Sequence, residues 1–548
     1  MPLLSVSGFG AIADKKSLVN AISFDIEEGS ITGIVGESGS GKSVTCMGLT
    51  QLLPKTIAIT GQVIYQDLHQ KSINLLSCTS ESLRKLRGKE IAYIFQEPMT
   101  ALNPVHTCGF QVAESIRVHQ NLSKTQVKDK VLDLFKEVKL PEVERIYNSY
   151  PHQISGGQRQ RVMISMALAN NPRLLIADEP TTALDASVQK SIIDLLAGMV
   201  KKRNMSMIFI SHDLSCLKSV ADNILVMYKG NVVERGTTSK IFANPEHPYT
   251  KALMLTRPNY KMAGNILPTI PDLLIEGADG IFSEKQFVNH ARPQQNIGET
   301  ILKVQDLEKT YAKRQVFKQS KPPTSVLSKI SFDVKQGQTI GIVGESGCGK
   351  STLAKILTNL ESATKGLIDI KSGATKEIGR HIQMVFQDPF SSLNPSITAG
   401  QAIIEPLLVH KIANKEQAIL RAKELLQLTG LSEDFFHKYP HQMSGGQRQR
   451  LCIARALSLE PSILILDESV AALDVSVQSQ ILNLLKEIQL KLGLTYLFIS
   501  HDLNVVGYMA DSIIVLRNGK IIEQGNALKI IENPESEYAQ FLVSCMYD

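Results

Sequence analysis

An octapeptide that follows a short apolar strand occurs twice in this chain of 548 residues, and it constrains the fold more than any other stretch. Gly36-Glu37-Ser38-Gly39-Ser40-Gly41-Lys42-Ser43 comes after Ile31-Thr32-Gly33-Ile34-Val35, and Gly344-Glu345-Ser346-Gly347-Cys348-Gly349-Lys350-Ser351 comes after Ile340-Gly341-Ile342-Val343. Glycines at this spacing let successive backbone N–H groups wrap an anion, and the helix that follows turns its electropositive end toward the same charge. The lysine reaches the β- and γ-phosphates of a nucleotide, and the serine after it offers its hydroxyl to Mg²⁺. One occurrence could be a glycine-rich strand-to-helix turn; a second occurrence favours nucleotide binding.

Further residues repeat with the loop. Ser155-Gly156-Gly157-Gln158 returns as Ser444-Gly445-Gly446-Gln447, Asp178-Glu179 as Asp467-Glu468, and Ser211-His212-Asp213 as Ser500-His501-Asp502, each 289 positions on. Asn244-Pro245-Glu246 returns at Asn533-Pro534-Glu535 with the same offset. Repetition of this kind marks duplicated units. The offset is 308 from Lys42 to Lys350 and 291 from Gln96 to Gln387, so the first copy carries extra residues, expected within 55–90 and without chemistry of their own. The copies span 1–257 and 300–548. Between them, 258–299 loses periodicity and is punctuated by Pro258, Pro268, Pro271 and Pro293, which reads as a tail and linker.

Each copy opens with period-two strands, Ala21–Ile26 and Lys329–Val334. A helical stretch follows, with candidate capping boxes at Ser123/Gln126 and Asn414/Gln417. Val127, Val131, Leu134, Phe135 and Val138 then recur at helical spacing, as do Ile419, Ala422, Leu425 and Leu426 before a terminating Gly430. The all-apolar runs Leu174–Ala177, Met207–Ile210, Ile463–Leu466 and Tyr496–Ile499 suit a parallel sheet covered on both faces. Each copy is therefore expected to be α/β with a helical insertion.

Composition excludes some classes of function. A net charge of +6, from 59 Lys+Arg against 53 Asp+Glu, does not argue for nucleic acid. The basic cluster Lys313, Arg314, Lys318 and Lys321 beside Pro322-Pro323 reads as a solvated loop. Seven scattered cysteines show no metal-site spacing and suit a reducing compartment. With no basic n-region and no apolar run of about 18–20 residues, the expectation is a cytoplasmic chain that meets a membrane through partners.

Asp178 and Glu179 fall at the end of a buried strand, the edge where open parallel sheets place ligands. Asp178 suits the Mg²⁺ shell, and Glu179 is placed to orient or deprotonate a water attacking the γ-phosphate; Asp467 and Glu468 repeat the pair. His212 and His501 follow another apolar strand and are expected to contact the γ-phosphate. Phe9 and Tyr311, upstream of the loops, are candidates to stack on adenine.

These motifs, in this order and present twice, resemble a tandem ATP-binding cassette (ABC) ATPase. The resemblance identifies Gly36–Ser43 and Gly344–Ser351 as Walker A, Gln96 and Gln387 as Q-loop glutamines, and the two Ser-Gly-Gly-Gln runs as signatures. Walker B ends in Asp178-Glu179 and Asp467-Glu468, and Ala183-Leu184-Asp185 and Ala472-Leu473-Asp474 are D-loops. It implies two P-loop ATPase domains in tandem, each a RecA-like α/β core with an antiparallel β subdomain and a helical insertion. It also implies head-to-tail closure over ATP and Mg²⁺. One site would join Lys42, Ser43, Gln96, Asp178, Glu179 and His212 to Ser444, Gly446 and Gln447; the other would join Lys350, Ser351, Gln387, Asp467, Glu468 and His501 to Ser155, Gly157 and Gln158. Ser43, Gln96 and Asp178, and again Ser351, Gln387 and Asp467, are the implied metal ligands.

Phe95–Pro104, Phe386–Pro395, Tyr150-Pro151-His152-Gln153 and Tyr439-Pro440-His441-Gln442 resemble importer ATPases for dipeptides, oligopeptides and nickel, and a fused pair looks like the peptide or glutathione importers. The resemblance implies two integral-membrane permease subunits, an extracytoplasmic solute-binding protein, no nucleic acid, no direct contact with cargo, and a peripheral place on the cytoplasmic face of the cell membrane. A nickel or metal-chelate importer is the alternative within transport, and a soluble tandem ATPase acting on ribosomes or DNA the alternative outside it. No cysteine cluster follows His247-Pro248-Tyr249, so no iron–sulfur cluster is expected. Glu179-Pro180-Thr181-Thr182 becomes Glu468-Ser469-Val470-Ala471, and losing the proline frees φ after the second glutamate, so the two D-loops need not share one geometry or one turnover rate.

Overall fold

The structure is a computed structural model that describes residues 2–96, 101–182, 184–277, 282–285, 287–288, 290–293, 295–311, 324–371, 378–471 and 473–546. The basic cluster at 313–321, residues 97–100 of the first Phe95–Pro104 motif, Ala183 and Ala472 lie outside them.

Alternation at the start of each copy produces an antiparallel sheet. In the first, β1 (Leu4–Ala13) pairs with β2 (Lys16–Ile26) and with β4 (Ala58–Gln66), which β5 (Ser72–Asn74) extends. The buried apolar runs, with a more exposed edge strand β10, form a second sheet: β3 (Ile31–Val35), β6 (Ile91–Ile94), β7 (Leu174–Asp178), β8 (Ser206–Ser211), β9 (Asn223–Tyr228) and β10 (Asn231–Thr237). Its order is β10-β9-β3-β8-β7-β6, parallel except at β9/β10. The second copy repeats this with Ile382–Val385, Ile463–Asp467, Thr495–Ile499, Thr339–Val343, Ser512–Arg517 and Lys520–Asn526 in spatial order. Its antiparallel sheet has three strands among the described residues against four in the first. The extra stretch at 55–90 supplies β4, β5 and a helix at Ser80–Leu86.

Both expected capping boxes form. Gln126 N donates to Ser123 Oγ (3.3 Å) and Ser123 N to Gln126 Oε1 (3.0 Å); Asn414 and Gln417 exchange bonds of 2.9 and 3.1 Å. Each opens a 14-residue helix, Lys124–Glu137 and Lys415–Leu428, and the chain leaves the second through Gly430 at φ 73°, the left-handed conformation that suits glycine. Val127, Val131, Leu134, Phe135 and Val138 are buried as expected; in the second helix Ala418 rather than Ile419 takes the first core place.

One expectation is corrected. Phe9 is not an adenine platform: it is fully buried, and its ring lies over Gly48 of the helix Lys42–Leu49, where a Cβ would come within 2.4 Å of it. A register shift between Val6 and Phe9 decides this: it breaks the alternation that buries Leu4 and Val6 and turns Phe9 and Ala11 to the core. Leu307, at the matching place in the second copy, is fully buried too. The 258–299 stretch, expected as tail and linker, has residues packed on both cassettes. Leu267 is fully buried in the core of the second cassette, whereas Leu273, Leu274 and Phe282 pack into that of the first. A hairpin joins Leu274–Glu276 to Phe282–Glu284. Pro271 opens the short helix Ile270–Leu273.

Candidate active site

In each cassette, the parallel strands carry the phosphate loop, the acid pair, the Ser-His-Asp run and the Q-loop glutamine at or just beyond their C-terminal ends. β3 runs into the phosphate loop, β7 ends on Asp178, β8 on Ser211 and β6 shortly before Gln96. Glycine is required at two points of the loop. Gly41 and Gly349 take φ 101° and 111° immediately before the helix, and a Cβ on Gly36 or Gly344 would sit 2.1 Å from the carbonyl oxygen of Met227 or Leu516. Lys42 and Lys350 are each 5% exposed and fold over their own loops, Lys42 Nζ donating to Gly36 O (2.8 Å) and Glu37 O (2.9 Å). Lys350 Nζ donates to Gly344 O (2.6 Å) and Glu345 O (3.0 Å). Burial lowers the Lys42 pKa, opposed by Glu179, Asp474, Asp178 and Glu37 around it.

The two Walker B acids face different partners. Asp178 Oδ1 accepts from Ser43 Oγ at 3.0 Å, and burial raises its pKa against the pull of Ser43 and Tyr93. Glu179 Oε2 accepts from Gln96 Nε2 (2.9 Å) and Thr182 Oγ1 (3.0 Å) and lies 3.4 Å from His212 Nδ1. Burial alone would raise its pKa; the hydrogen bond and charge of His212, with Lys42 and Thr182, outweigh that and bring it down to about 2. Burial also opposes protonation of His212, yet Glu179 raises its pKa. In the second cassette Gln387 Nε2 reaches Glu468 Oε2 at 2.6 Å and His501 Nδ1 lies 3.7 Å away, with the same directions of shift.

Both glutamates sit in the left-handed region, at φ 44° and 47°, held by backbone bonds to the next strand (Glu179 N to Ile210 O, 3.1 Å; Glu468 N to Ile499 O, 2.9 Å). Left-handed backbone is strained for a non-glycine residue, and such strain gathers at functional sites. The turn after them is also shared: Thr182 N donates to Glu179 O (3.2 Å) and Ala471 N to Glu468 O (3.1 Å). Exchanging Pro180 for Ser469 therefore leaves this backbone turn unchanged, while the D-loop aspartates beyond it differ: Asp185 Oδ1 accepts from Val188 N (3.0 Å) and caps its helix, and Asp474 makes no side-chain cap.

The cassettes meet head to tail through these loops. Ser38 N donates to Asp474 Oδ1 (3.1 Å) and Ser346 N to Asp185 Oδ2 (3.3 Å), so each D-loop aspartate holds the opposite Walker A. Ser187 Oγ donates to Glu345 Oε1 (3.0 Å) and Ser476 Oγ to Glu37 Oε1. A cavity of about 250 Å³ accordingly has walls from both cassettes, with Leu184 and Asp185 facing Lys350, Ser351, Gln387 and Glu468. The signature residues cap their own helices: Ser155 and Ser444 accept from Gln158 N and Gln447 N at 3.3 and 3.4 Å, and both glutamine side chains bond back. Gly157 and Gly446 lie against Val188 and Val477 of their own cassettes. Tyr311 is 38% exposed under Lys309 Nζ, 4.9 Å from its ring centroid.

Beside the D-loop aspartates, four residues not singled out in the sequence complete the arrangement: Ser187 and Ser476 bond across the seam, and Tyr249 and Tyr538 brace the phosphate loop of their own cassette, their hydroxyls accepting from Glu37 N (3.2 Å) and Glu345 N (3.0 Å). Each pair is 289 positions apart, a signal the repeat carried.

Hard oxygen donors suit Mg²⁺, which keeps waters and substrate phosphates in its octahedron. Ser43 Oγ and Asp178 are such a pair beside Gln96, and in the second cassette Asp467 Oδ1 is buried without a partner. Among the described residues no group of three or more His, Cys, Asp or Glu could hold a metal by itself, so an ion here would complete its shell from nucleotide and water. Among them, too, no helix is long and apolar enough to cross a membrane.

Comparison with known proteins agrees with this geometry. The family model described as ABC transporter matches residues 19–182 and 327–471, and the model for the oligopeptide/dipeptide transporter C-terminal region matches 233–275. The glutathione import ATP-binding protein GsiA of Pectobacterium atrosepticum is 40% identical over 543 residues, covering 96% of this chain and 86% of that protein. GsiA of Shigella boydii is 41% identical over 548 residues, covering 97% of this chain and 87% of the relative. Among solved structures, the ATP-binding cassette MJ0796 bound to ADP and Pi matches 41% of this chain and 99% of its own, at 31% identity and a TM-score of 0.37. With the Walker motifs, glutamates and D-loops assembled twice across one seam, the chain belongs to the ABC transporter family as an ATPase with two cassettes in one polypeptide.

Proposed function

We propose that this chain is the ATP-hydrolysing subunit that energises an importer for peptides of the dipeptide or oligopeptide type, glutathione among them. It works from the cytoplasmic face of the cell membrane, on two permease subunits fed by an extracytoplasmic binding protein. The observation that carries the reading is the seam, where Asp185 and Asp474 each hold the phosphate loop of the other cassette. The match of 233–275 to the oligopeptide/dipeptide region and the GsiA relatives support the cargo class.

In this reading Lys42 and Lys350 exchange their carbonyl partners for the β- and γ-phosphates, and backbone N–H groups of the loops cradle the same oxygens. Ser444, Gly446 and Gln447 cap the nucleotide on the first cassette, and Ser155, Gly157 and Gln158 that on the second. Tyr311 stacks on the adenine of the second site. Mg²⁺, when bound by Ser43, Asp178 and Gln96 or by Ser351, Asp467 and Gln387, supplies charge neutralisation on the β- and γ-oxygens. Glu179 and Glu468, held ionised, accept a hydrogen bond from the attacking water and aim it; His212 and His501 donate toward the γ-phosphate. ATP-driven closure and opening after hydrolysis form the two-state element that moves the permeases.

Reconstitution of the chain with its permeases and binding protein in proteoliposomes tests the assignment. ATP-dependent accumulation of labelled glutathione or dipeptide, lost on Lys42→Ala with Lys350→Ala, is the expected result. Accumulation of nickel chelate and of no peptide would overturn the cargo class.

A further inference from the structure

A cavity of about 390 Å³ lies between the 258–299 segment and the second cassette, and none of its lining residues belongs to a nucleotide site. Asn265, Arg292 and Gln295 wall one side; Lys486, Tyr508 and Asp511 wall the other. We propose that it binds a small organic or inorganic anion bearing a carboxylate or phosphate group, held between Arg292 and Lys486.

Arg292 gives one nitrogen, Nη2, to Asn483 Oδ1, while Nε and Nη1 are enclosed and have no acceptor. A buried guanidinium with open donors is costly unless something accepts from them, and a planar oxyanion is the group that fits such a fork best. Lys486 Nζ, on the facing helix Val475–Leu492, donates to Met509 O at 2.6 Å, and an ammonium has three such bonds to give. Burial, with Arg292 adding to it and Asp511 opposing, draws the Lys486 pKa down to about 8. The one carboxylate in the lining, Asp511, already accepts from Thr339 N at 2.7 Å; Glu487, which also acts on Arg292, is exposed. The volume falls within the roughly 300–1,000 Å³ of small-molecule sites.

The internal repeat separates this reading from simple docking of the segment. Asn483 and Tyr508 explain docking: Asn483 Nδ2 donates to Leu267 O (2.8 Å), Leu267 N to Asn483 Oδ1 (3.1 Å), and Tyr508 Oη to Asn265 O (3.0 Å). Lys486 makes none of these bonds, and the first cassette has Ala197 in its place, so the second cassette carries a buried cation where its twin has a methyl group. The helix Leu503–Met509, which bears Tyr508, begins one residue after His501-Asp502, so an occupant drawing Arg292 toward Lys486 bears on the element that follows the switch histidine.

The test uses the full chain saturated with a non-hydrolysable ATP analogue, so that both phosphate loops are filled, and it does not depend on the cargo assignment. Inorganic phosphate, succinate and glycylglycine are titrated by calorimetry. The expected result is saturable binding of at least one at a single site, with Kd raised about tenfold or more by Lys486→Ala, which installs the residue of the first cassette, and by Arg292→Gln. Phosphate alone assigns a phosphoryl ligand; succinate or glycylglycine without phosphate assigns a carboxylate. No saturable binding of any of the three, or unchanged affinity in both variants with ATP turnover intact, overturns the site.

Discussion

The two cassettes share every catalytic motif and differ in what stands behind it. In the first, Tyr93 Oη donates to Asp178 Oδ2 at 3.0 Å, so both oxygens of the aspartate are engaged, and Thr182 steadies Glu179. In the second, Met384 and Ala471 occupy those places, and Asp467 Oδ1 and Ser469 Oγ are buried without partners. The second has Tyr311 at the end of its first strand, where the first has Ala13. Identical motifs thus sit in unequal supports, and a carboxylate fixed by its neighbours is the better preorganised one.

The comparison can be broken most directly at the glutamates. Replacing both by glutamine should lower ATP turnover by roughly 10²-fold or more, and Glu179→Gln alone should cost more than Glu468→Gln. Equal single-variant rates in a steady-state ATPase assay would remove the asymmetry. Phe9→Ala should destabilise the first cassette by about 3–5 kcal/mol in denaturant unfolding, with the KM for ATP unchanged, as a core residue requires. A rise in KM without loss of stability would restore the adenine role. Tyr93→Phe should cost about 1–3 kcal/mol by leaving a buried carboxylate oxygen unpartnered, and should raise the Mg²⁺ needed for half-maximal turnover. The reciprocal Met384→Tyr should lower it. The smallest effect is in pH. His212 has its pKa raised above the ordinary value of about 6.5, so the stability from its pairing with Glu179 is complete below about pH 6.5 and is lost as pH rises through the raised value. Glu179, at about 2, stays ionised throughout that range. A falling Tm over that window, flattened by His212→Ala, is the expected record.

Phosphate loops, acid pairs and the histidines His212 and His501 were legible because each is a local pattern at a strand end, and the acid pairs and histidines return together 289 positions on. The capping boxes were legible for the same reason: donor and acceptor lie three residues apart. Phe9 was misread because an aromatic ahead of a phosphate loop says nothing about which face of a twisted strand it occupies. The packing of the 258–299 segment was not legible because prolines say nothing about whether the residues between them find a core, and Leu267 finds one in the second cassette.

By itself, then, the sequence determined the two α/β cassettes, the order of their motifs and the residues able to handle a triphosphate, all consequences of period, spacing and side-chain chemistry. Only the tertiary structure decided that Asp185 and Asp474 reach across to the opposite loops, that Tyr93 engages the second oxygen of Asp178 whereas Asp467 Oδ1 is buried without a partner, and that Arg292 and Lys486 share a cavity. Those are contacts between residues up to several hundred positions apart, and the relative placement of packed elements, which no local pattern encodes, brings them together.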